Sequence, residues 1–177
     1  MQVDFSNNYF ELFGCTAAFA IDEEHTAQRY RELQKVLHPD RFATKSDSEK
    51  RWSMQAASFV NEAYQTLSKP LSRAIYLLSI NGINTDEETD TQMPGAFLMQ
   101  QMEWREALEE APSKSDPFAA LDDLAKELKS ETTAIMKEFE QNSTSDQWQE
   151  ARGVVRRWQF LDKMRREVQA AEAALDA

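Results

Sequence analysis

The segment His38-Pro39-Asp40 constrains the fold of this chain most, because it lies between two amphipathic helical patterns and interrupts them. A proline disfavours helical backbone at the residue before it. The first helix, for which Asp22 is a suitable N-cap, must therefore end near the histidine. Ser46 and Glu49 have the spacing of a capping box, which predicts that the second helix begins there. We therefore predict two long antiparallel helices joined by a short polar turn.

Apolar residues recur at helical spacing on both sides of this turn, as expected for two helices that share one core. The stripe before the turn consists of Ala27, Tyr30, Leu33 and Leu37. The stripe after the turn consists of Trp52, Ala56, Phe59, Val60, Ala63, Tyr64 and Leu67. Two shorter helices are predicted, one before Gly14 and one that begins at Pro70. No alternating apolar pattern predicts a strand, so the expected fold class is all-α.

The second half of the chain predicts three further helices. The first spans about residues 94–111, and the second begins at Asp116, an N-cap followed by a proline. The apolar stripe of the second helix starts at Phe118. The third helix begins near Thr144, which has capping-box spacing with Gln147. Short loops between three helices favour a small antiparallel bundle.

A polar, acidic stretch separates the two sets of helices. We predict a first domain at residues 1–80, an acidic linker at 81–94 and a three-helix domain at 95–177. Most of the net charge of −11 lies in the second half, because residues 77–177 hold 11 Lys/Arg against 21 Asp/Glu. Nucleic-acid binding is disfavoured, because proteins that bind phosphates are usually basic.

Composition restricts other chemistry as well. Cys15 is the single cysteine, which excludes a disulfide framework and a cysteine-rich zinc site. No apolar stretch approaches the roughly 20 residues of a membrane-spanning helix, and the first residues lack the pattern of a targeting segment. We expect a cytoplasmic monomer without a metal or cofactor.

His38 and Asp40 admit three interpretations. An acid–base pair would need a shared proton path and a nearby nucleophile or substrate, for which the sequence names no residue. A histidine that caps the end of a helix is a simpler alternative. A docking turn fits better, because Pro39 stiffens it and lowers the entropy lost on binding. In that interpretation the Asp40 carboxylate accepts a bidentate arginine of a partner.

Basic residues surround this turn in an otherwise acidic chain. Between residues 29 and 51 they are Arg29, Arg31, Lys35, Arg41, Lys45, Lys50 and Arg51. Arg31 and Lys35 are four residues apart and therefore lie on one helix face. Such charges ordinarily belong to a solvated helix surface. A positive patch on an acidic protein would also steer an acidic partner surface.

The first helix of the second domain carries apolar residues on two sides. The side that suits a core holds Phe97, Trp104 and Leu108. The opposite side holds Leu98, Met99 and Met102. Acidic residues flank this second group, namely Glu103, Glu106 and Glu110. An apolar surface with an acidic rim is typical of a partner site, and methionines suit an adaptable contact. Burial of this helix on two sides within the bundle is the alternative.

Several blocks of the sequence resemble a known family. The blocks that look like a J domain are residues 9–14, 38–42 and 61–67. The blocks that resemble the HscB family are residues 70–78, 97–106 and 160–163. Together these blocks extend the resemblance over nearly the whole chain.

This resemblance implies a co-chaperone of iron–sulfur cluster biogenesis that is not an enzyme. Members of the family bind the scaffold protein IscU through the C-terminal bundle and present it to HscA, a DnaK-like chaperone whose ATPase the J domain stimulates. The implied chaperone-binding residues are His38, Pro39, Asp40, Arg29, Arg31, Lys35 and Arg41. The implied scaffold-binding residues are Leu98, Met99, Met102, Glu103, Glu106, Glu110 and Phe160. Phe160 joins this set by resemblance alone, because its neighbours Trp158 and Leu161 already supply a core stripe.

Other functions stay open at this point. A J-domain adaptor for other client proteins would share the docking turn. An enzyme would use His38 and Asp40 within a pocket. An architectural coiled coil is disfavoured, because the helices are short and no heptad repeat is sustained.

Overall fold

The computed structural model describes residues 3–85 and 93–175, and these residues form helices and loops without a strand. The chain divides into two compact units, Met1–Gly82 and Ile83–Ala177, called here the N-terminal and the C-terminal unit. The fold class is all-α, as predicted. Of the predicted acidic linker, residues 86–92 lie outside the described residues.

The helices of the N-terminal unit follow the predicted order. They are α1 (Tyr9–Phe13), α2 (Glu23–Leu37), a 3₁₀ turn (Pro39–Phe42), α3 (Asp47–Ser68) and α4 (Pro70–Ile80). The Asp22 carboxylate accepts the His25 amide 2.9 Å away and begins α2. Ser46 and Glu49 form the predicted capping box at the start of α3. These local signals place the long helix pair.

The end of α2 depends on side chains from elsewhere. The last carbonyl groups of a helix lack partners within it, and Pro39 prevents α2 from continuing. The Leu37 carbonyl accepts the hydroxyl of the buried Ser53 in α3 at 3.4 Å. The Lys35 carbonyl accepts Arg41 Nη1 at 3.3 Å. Both bonds fasten the turn to the helices that it connects.

The core of the N-terminal unit lies where α2 and α3 face each other, covered by α1 and α4. Its buried apolar residues include Phe10, Phe13, Leu33, Leu37, Ala56, Val60, Ala63, Leu67, Ala74, Leu77 and Leu78. Stacking of Tyr9 on Tyr76, with ring centroids 4.3 Å apart, holds α1 against α4.

Arg73 is a buried charge in this core that the sequence pattern did not predict. Its Nη1 donates to the Leu67 carbonyl at 2.6 Å, and its Nη2 lies 3.4 Å from Glu23 Oε1. The guanidinium also lies over the Phe19 ring, 5.2 Å from the centroid. Burial lowers the pKa of Arg73, and the Glu23 carboxylate opposes that shift. Arg73 therefore joins α4 to the start of α2 and the end of α3.

The C-terminal unit contains three helices. They are α5 (Gly95–Glu110), α6 (Pro117–Thr144) and α7 (Trp148–Leu175), with a 3₁₀ turn (Ala111–Ser113) after α5. The long helices α6 and α7 pack along each other, and α5 packs on them through Phe97 and Trp104. Asp116 caps α6 as predicted. No helix within the described ranges is both long enough and apolar enough to cross a membrane.

Two sequence predictions for this unit are wrong. Thr144 does not cap α7, because it lies in the last turn of α6 and its hydroxyl donates to the Glu140 carbonyl at 2.7 Å. The chain reverses at Asp146, whose φ is 55°. Phe118 is 47% exposed and does not belong to the core, which α6 first enters at Leu121.

We expect Arg73→Met to destabilise the N-terminal unit by about 2 kcal/mol, because the Leu67 carbonyl then loses its buried donor. Glu23→Gln is the matched control and should cost less than about 1 kcal/mol, since the Glu23 carboxylate is mostly exposed. Hydrogen exchange of peptides from α3 and α4 measures both. Equal losses would show that the ion pair, rather than the Leu67 bond, carries the effect.

Candidate functional site

The turn after α2 is stabilised by its own histidine. His38 lies outside the helical region, with φ −56° and ψ 133°, and caps the 3₁₀ turn. Its Nδ1 accepts the Asp40 amide at 3.3 Å, which requires an Nδ1 lone pair. The contact of the same Nδ1 with Asp40 Oδ2, at 3.6 Å, is therefore not a hydrogen bond. The histidine fixes the backbone and leaves the carboxylate unengaged.

The Asp40 side chain is 91% exposed at the tip of this turn. A carboxylate so placed keeps its acceptor sites for a partner and can receive the paired donors of a guanidinium. Pro39 follows the capping histidine and restricts the backbone before a partner binds. The turn thus presents one charged group in a fixed position.

An open groove of about 430 Å³ runs between α2 and α3 beside the turn. Its lining residues are Arg31, Gln34, Lys35, Leu37, His38, Pro39, Ala57, Val60 and Asn61. Among these residues no hydroxyl, thiol or carboxylate side chain stands beside His38 as a nucleophile. Asp40 is not part of the lining. The arrangement does not support an acid–base site.

The structure separates the predicted basic residues into two groups. Arg31 and Lys35 are exposed and line the groove. Arg29 pairs with Glu32 at 3.0 Å, and Arg41 donates to the Lys35 carbonyl. Arg31 and Lys35 are therefore exposed cations beside the turn, whereas Arg29 and Arg41 also serve the fold. We call His38, Pro39, Asp40, Arg31 and Lys35 the turn surface.

A polar network at the groove was missed by the sequence prediction. The Tyr30 hydroxyl donates to Asn61 Oδ1 at 2.9 Å, and Gln34 Nε2 donates to the Tyr30 hydroxyl at 2.6 Å. Tyr30 also stacks on Tyr64, with centroids 4.0 Å apart. The sequence pattern assigned both tyrosines to the core. One sequence signal could have predicted this network. Gln34 and Asn61 each lie next to the apolar stripe of their helix.

On α5 the structure places the two apolar groups on different sides. Phe97 and Trp104 are buried, whereas Leu98, Met99 and Met102 are 46%, 66% and 71% exposed. Burial of α5 on two sides within its unit is thereby excluded. We call Leu98, Met99 and Met102 the α5 patch. The α5 patch is thus an exposed apolar surface and not part of the core.

The acidic rim of the α5 patch is not uniform. Glu103 and Glu106 are exposed and have no ion-pair partner among the described residues. Glu110 lies at the end of α5 and pairs with Lys114 Nζ at 2.5 Å. Glu103 and Glu106 therefore offer the stronger field to a basic partner, because a neutralising lysine accompanies Glu110.

Phe160 of α7 lies against the buried side of α5. It is half-buried, with its ring 5.9 Å from Phe97 and 6.3 Å from Trp104. The guanidinium of Arg105 lies over the same ring, 5.6 Å from the centroid. Phe160 is therefore a support as well as a surface residue.

A part-buried hydrogen bond joins α5 to α6. Trp104 Nε1 donates to Glu127 Oε1 at 2.7 Å, and the indole is 1% exposed. This bond satisfies the indole N–H and sets the rotation of α5. It thereby determines which residues of α5 face outward.

The described residues contain no cluster of three or more His, Cys, Asp or Glu side chains that could hold a metal ion.

Comparisons with known proteins match both units. A family model described as the DnaJ domain matches residues 8–76, and one described as the HSCB C-terminal oligomerisation domain matches residues 93–169. The Co-chaperone protein HscB homolog of Pseudoalteromonas atlantica is 42% identical, over 95% of this chain and 98% of the relative.

Solved structures give the same result. Chaperone HscB from Vibrio cholerae has a TM-score of 0.85 and 37% identity, over 96% of this chain and 99% of that one. Human co-chaperone protein HscB has a TM-score of 0.89 and 31% identity, over 97% of this chain and 85% of that one. The similarity therefore extends far beyond the turn.

We expect Glu127→Ala to destabilise the C-terminal unit by about 1 kcal/mol, because the Trp104 N–H would lose its acceptor at a part-buried position. Glu127→Gln keeps an acceptor oxygen and should cost less. Urea denaturation followed by tryptophan fluorescence measures both variants. An alanine variant as stable as the parent would show that α5 is held by packing alone.

Proposed function

The chain belongs to the HscB family of J-domain co-chaperones for iron–sulfur cluster assembly, and from this premise we propose that it delivers the scaffold protein IscU to the chaperone HscA. In this proposal the N-terminal unit, a J domain, binds HscA and stimulates its ATPase. The C-terminal unit holds IscU. The observation that carries the proposal is the Asp40 carboxylate, exposed at the tip of a turn that His38 fixes.

Stimulation is explained by selective binding to one state of the chaperone. A ligand shifts a conformational equilibrium only if it binds one state more tightly than the other. A fixed Asp40 carboxylate is suited to an arginine that is correctly placed only in the hydrolysis-competent state. Because the turn is already ordered, little entropy is lost on docking.

The charges of α2 support docking at the same place. Arg31 and Lys35 are exposed beside the turn, in a chain with a net charge of −11. A local positive surface accelerates encounter with an acidic partner and sets its orientation. We propose that these two residues, rather than the engaged Arg29 and Arg41, make the first electrostatic contacts with HscA.

The α5 patch is our proposed scaffold site. Its leucine and methionines would be covered by IscU, while Glu103 and Glu106 would face basic residues of the scaffold. Phe160 would stiffen the patch from beneath, since it contacts both the core and Arg105. Holding the scaffold on the chain that binds HscA raises its effective concentration at the chaperone.

We also propose that the chain works as a cytoplasmic monomer without catalytic activity, metal or cofactor. The family name of its C-terminal domain refers to oligomerisation, so light scattering of the purified chain is the direct test of the monomer. Turnover of ATP by HscA, with and without IscU, tests the main proposal. Stimulation without any effect or binding of IscU would favour an adaptor for other clients.

We expect Asp40→Asn to abolish stimulation of the HscA ATPase, because the carboxylate proposed to bind an arginine of HscA is lost. IscU binding should stay intact, because the substitution removes only an exposed charge of the N-terminal unit. Asp47→Asn, at an aspartate 92% exposed at the start of α3, is the matched control. Single-turnover ATP hydrolysis measures stimulation, and calorimetry measures IscU binding. Normal stimulation by Asp40→Asn would refute the role proposed for the turn.

We expect Leu98→Ala combined with Met102→Ala to raise the Kd for IscU by roughly ten- to a hundredfold, as truncation of central apolar contacts does. Helicity should change little, since both side chains are exposed. Phe118→Ala removes an exposed apolar residue of the same unit and should leave the Kd unchanged. A large fall in melting temperature for the double variant would instead mark the two residues as structural.

A further inference from the structure

The sulfur atoms of the α5 patch can be oxidised, a reaction that has no part in apolar packing against a partner. We propose that Met99 and Met102 form a site of reversible oxidation by hydroperoxides, and that the two sulfoxides prevent scaffold binding. The inference rests on the proposed function of the α5 patch as the scaffold site. It adds control of that site by peroxide.

Access distinguishes these two methionines from the other described methionines of the C-terminal unit. Oxidation of a thioether requires that the peroxide reach the sulfur. Met99 and Met102 are 66% and 71% exposed, whereas Met164 in the bundle core is 0% exposed. Met93 and Met136 are half-buried, and the Met93 sulfur accepts Gln101 Nε2 at 3.2 Å. Within the C-terminal unit, peroxide therefore meets the sulfurs of the patch first.

The reaction consumes one hydroperoxide for each methionine. A sulfur lone pair attacks one peroxide oxygen, the S–O bond forms and the O–O bond breaks. The departing oxygen takes up the proton and leaves as water or an alcohol. Sulfur is oxidised by two electrons and the peroxide is reduced by two. Methionine sulfoxide reductases reverse the change by reducing the sulfoxide with two electrons from thiols, which become a disulfide, and the oxygen leaves as water.

The product is unsuited to the surface that the methionines form. A sulfoxide is polar and chiral where the thioether was apolar and adaptable. Its oxygen requires a hydrogen-bond donor, and burial without one is unfavourable. Met99 and Met102 are three residues apart and so neighbours on the helix surface, which means that one partner surface would cover both. Glu103 and Glu106 beside them are acceptors only and supply no donor.

Methionine oxidation should affect the functions of the two units differently. The residues of the turn surface and its groove include no methionine. Met54 of α3 is 69% exposed and is not among the groove-lining residues. Oxidation should therefore block the scaffold while leaving stimulation of the chaperone by the chain alone unaffected.

The test treats the full chain with hydrogen peroxide, locates the sulfoxides by mass spectrometry and measures IscU binding by calorimetry. Three proteins are compared: the parent, Met54→Leu, and Met99→Leu combined with Met102→Leu. Each affinity after treatment is divided by that protein's own untreated value, which removes any effect of the substitutions themselves. A final sample is incubated with methionine sulfoxide reductases.

We expect Met99 and Met102 to oxidise well before Met164, and the Kd of the parent and of Met54→Leu to rise roughly tenfold or more. The reductases should restore binding, and the double leucine variant should show a ratio near one. Equal loss in the double variant would overturn the proposal, because it would place the damage at Cys15 or elsewhere. Sulfoxides at both positions with unchanged binding would overturn it too. Failure of the untreated parent to bind IscU would instead overturn the proposed function.

Discussion

The carbonyl groups at the end of α2 need hydrogen-bond donors that the helix cannot provide, because a proline stops it. Ser53 of α3 and Arg41 of the turn supply two of them. The same bonds therefore end one helix, dock it on the next and anchor the segment between them. His38 completes this arrangement by accepting the Asp40 amide, so the exposed carboxylate stands on a backbone that is held from both sides.

In the C-terminal unit, α5 is apolar on two sides, and only one of them faces the core. The buried side of α5 is fixed by Trp104, which donates to Glu127 and packs near Phe160. That fixed rotation leaves three apolar side chains at the surface. Their exposure is thus a consequence of how the opposite side is held, not of a loosely packed helix.

The sequence alone predicted the structural features that depend on residues close together in the chain. The caps at Asp22, Ser46 and Asp116 were predicted, since each depends on residues three positions apart. Thr144 was assigned wrongly because a threonine hydroxyl can also bond within its own helix, and only the reversal at Asp146 distinguishes the two. Phe118 was assigned to the core because helical periodicity identifies the apolar side of α6 but does not show where along α6 a neighbouring helix begins to cover that side. Arg73 was not predicted, because its partners lie on other helices. The family, the fold class and the outward side of α5 were predicted correctly. The partners of the two surfaces stay predictions.

The unpaired acids beside the α5 patch affect how copies of this chain meet one another. Symmetric pairing brings the same patch of two molecules together, so Glu103 and Glu106 of each copy would be forced toward those of the other. Like charges brought close in a partly dehydrated contact repel strongly. The acidic rim therefore opposes symmetric pairing of two copies through the α5 patch, and in the proposed function it would keep that patch open for the scaffold.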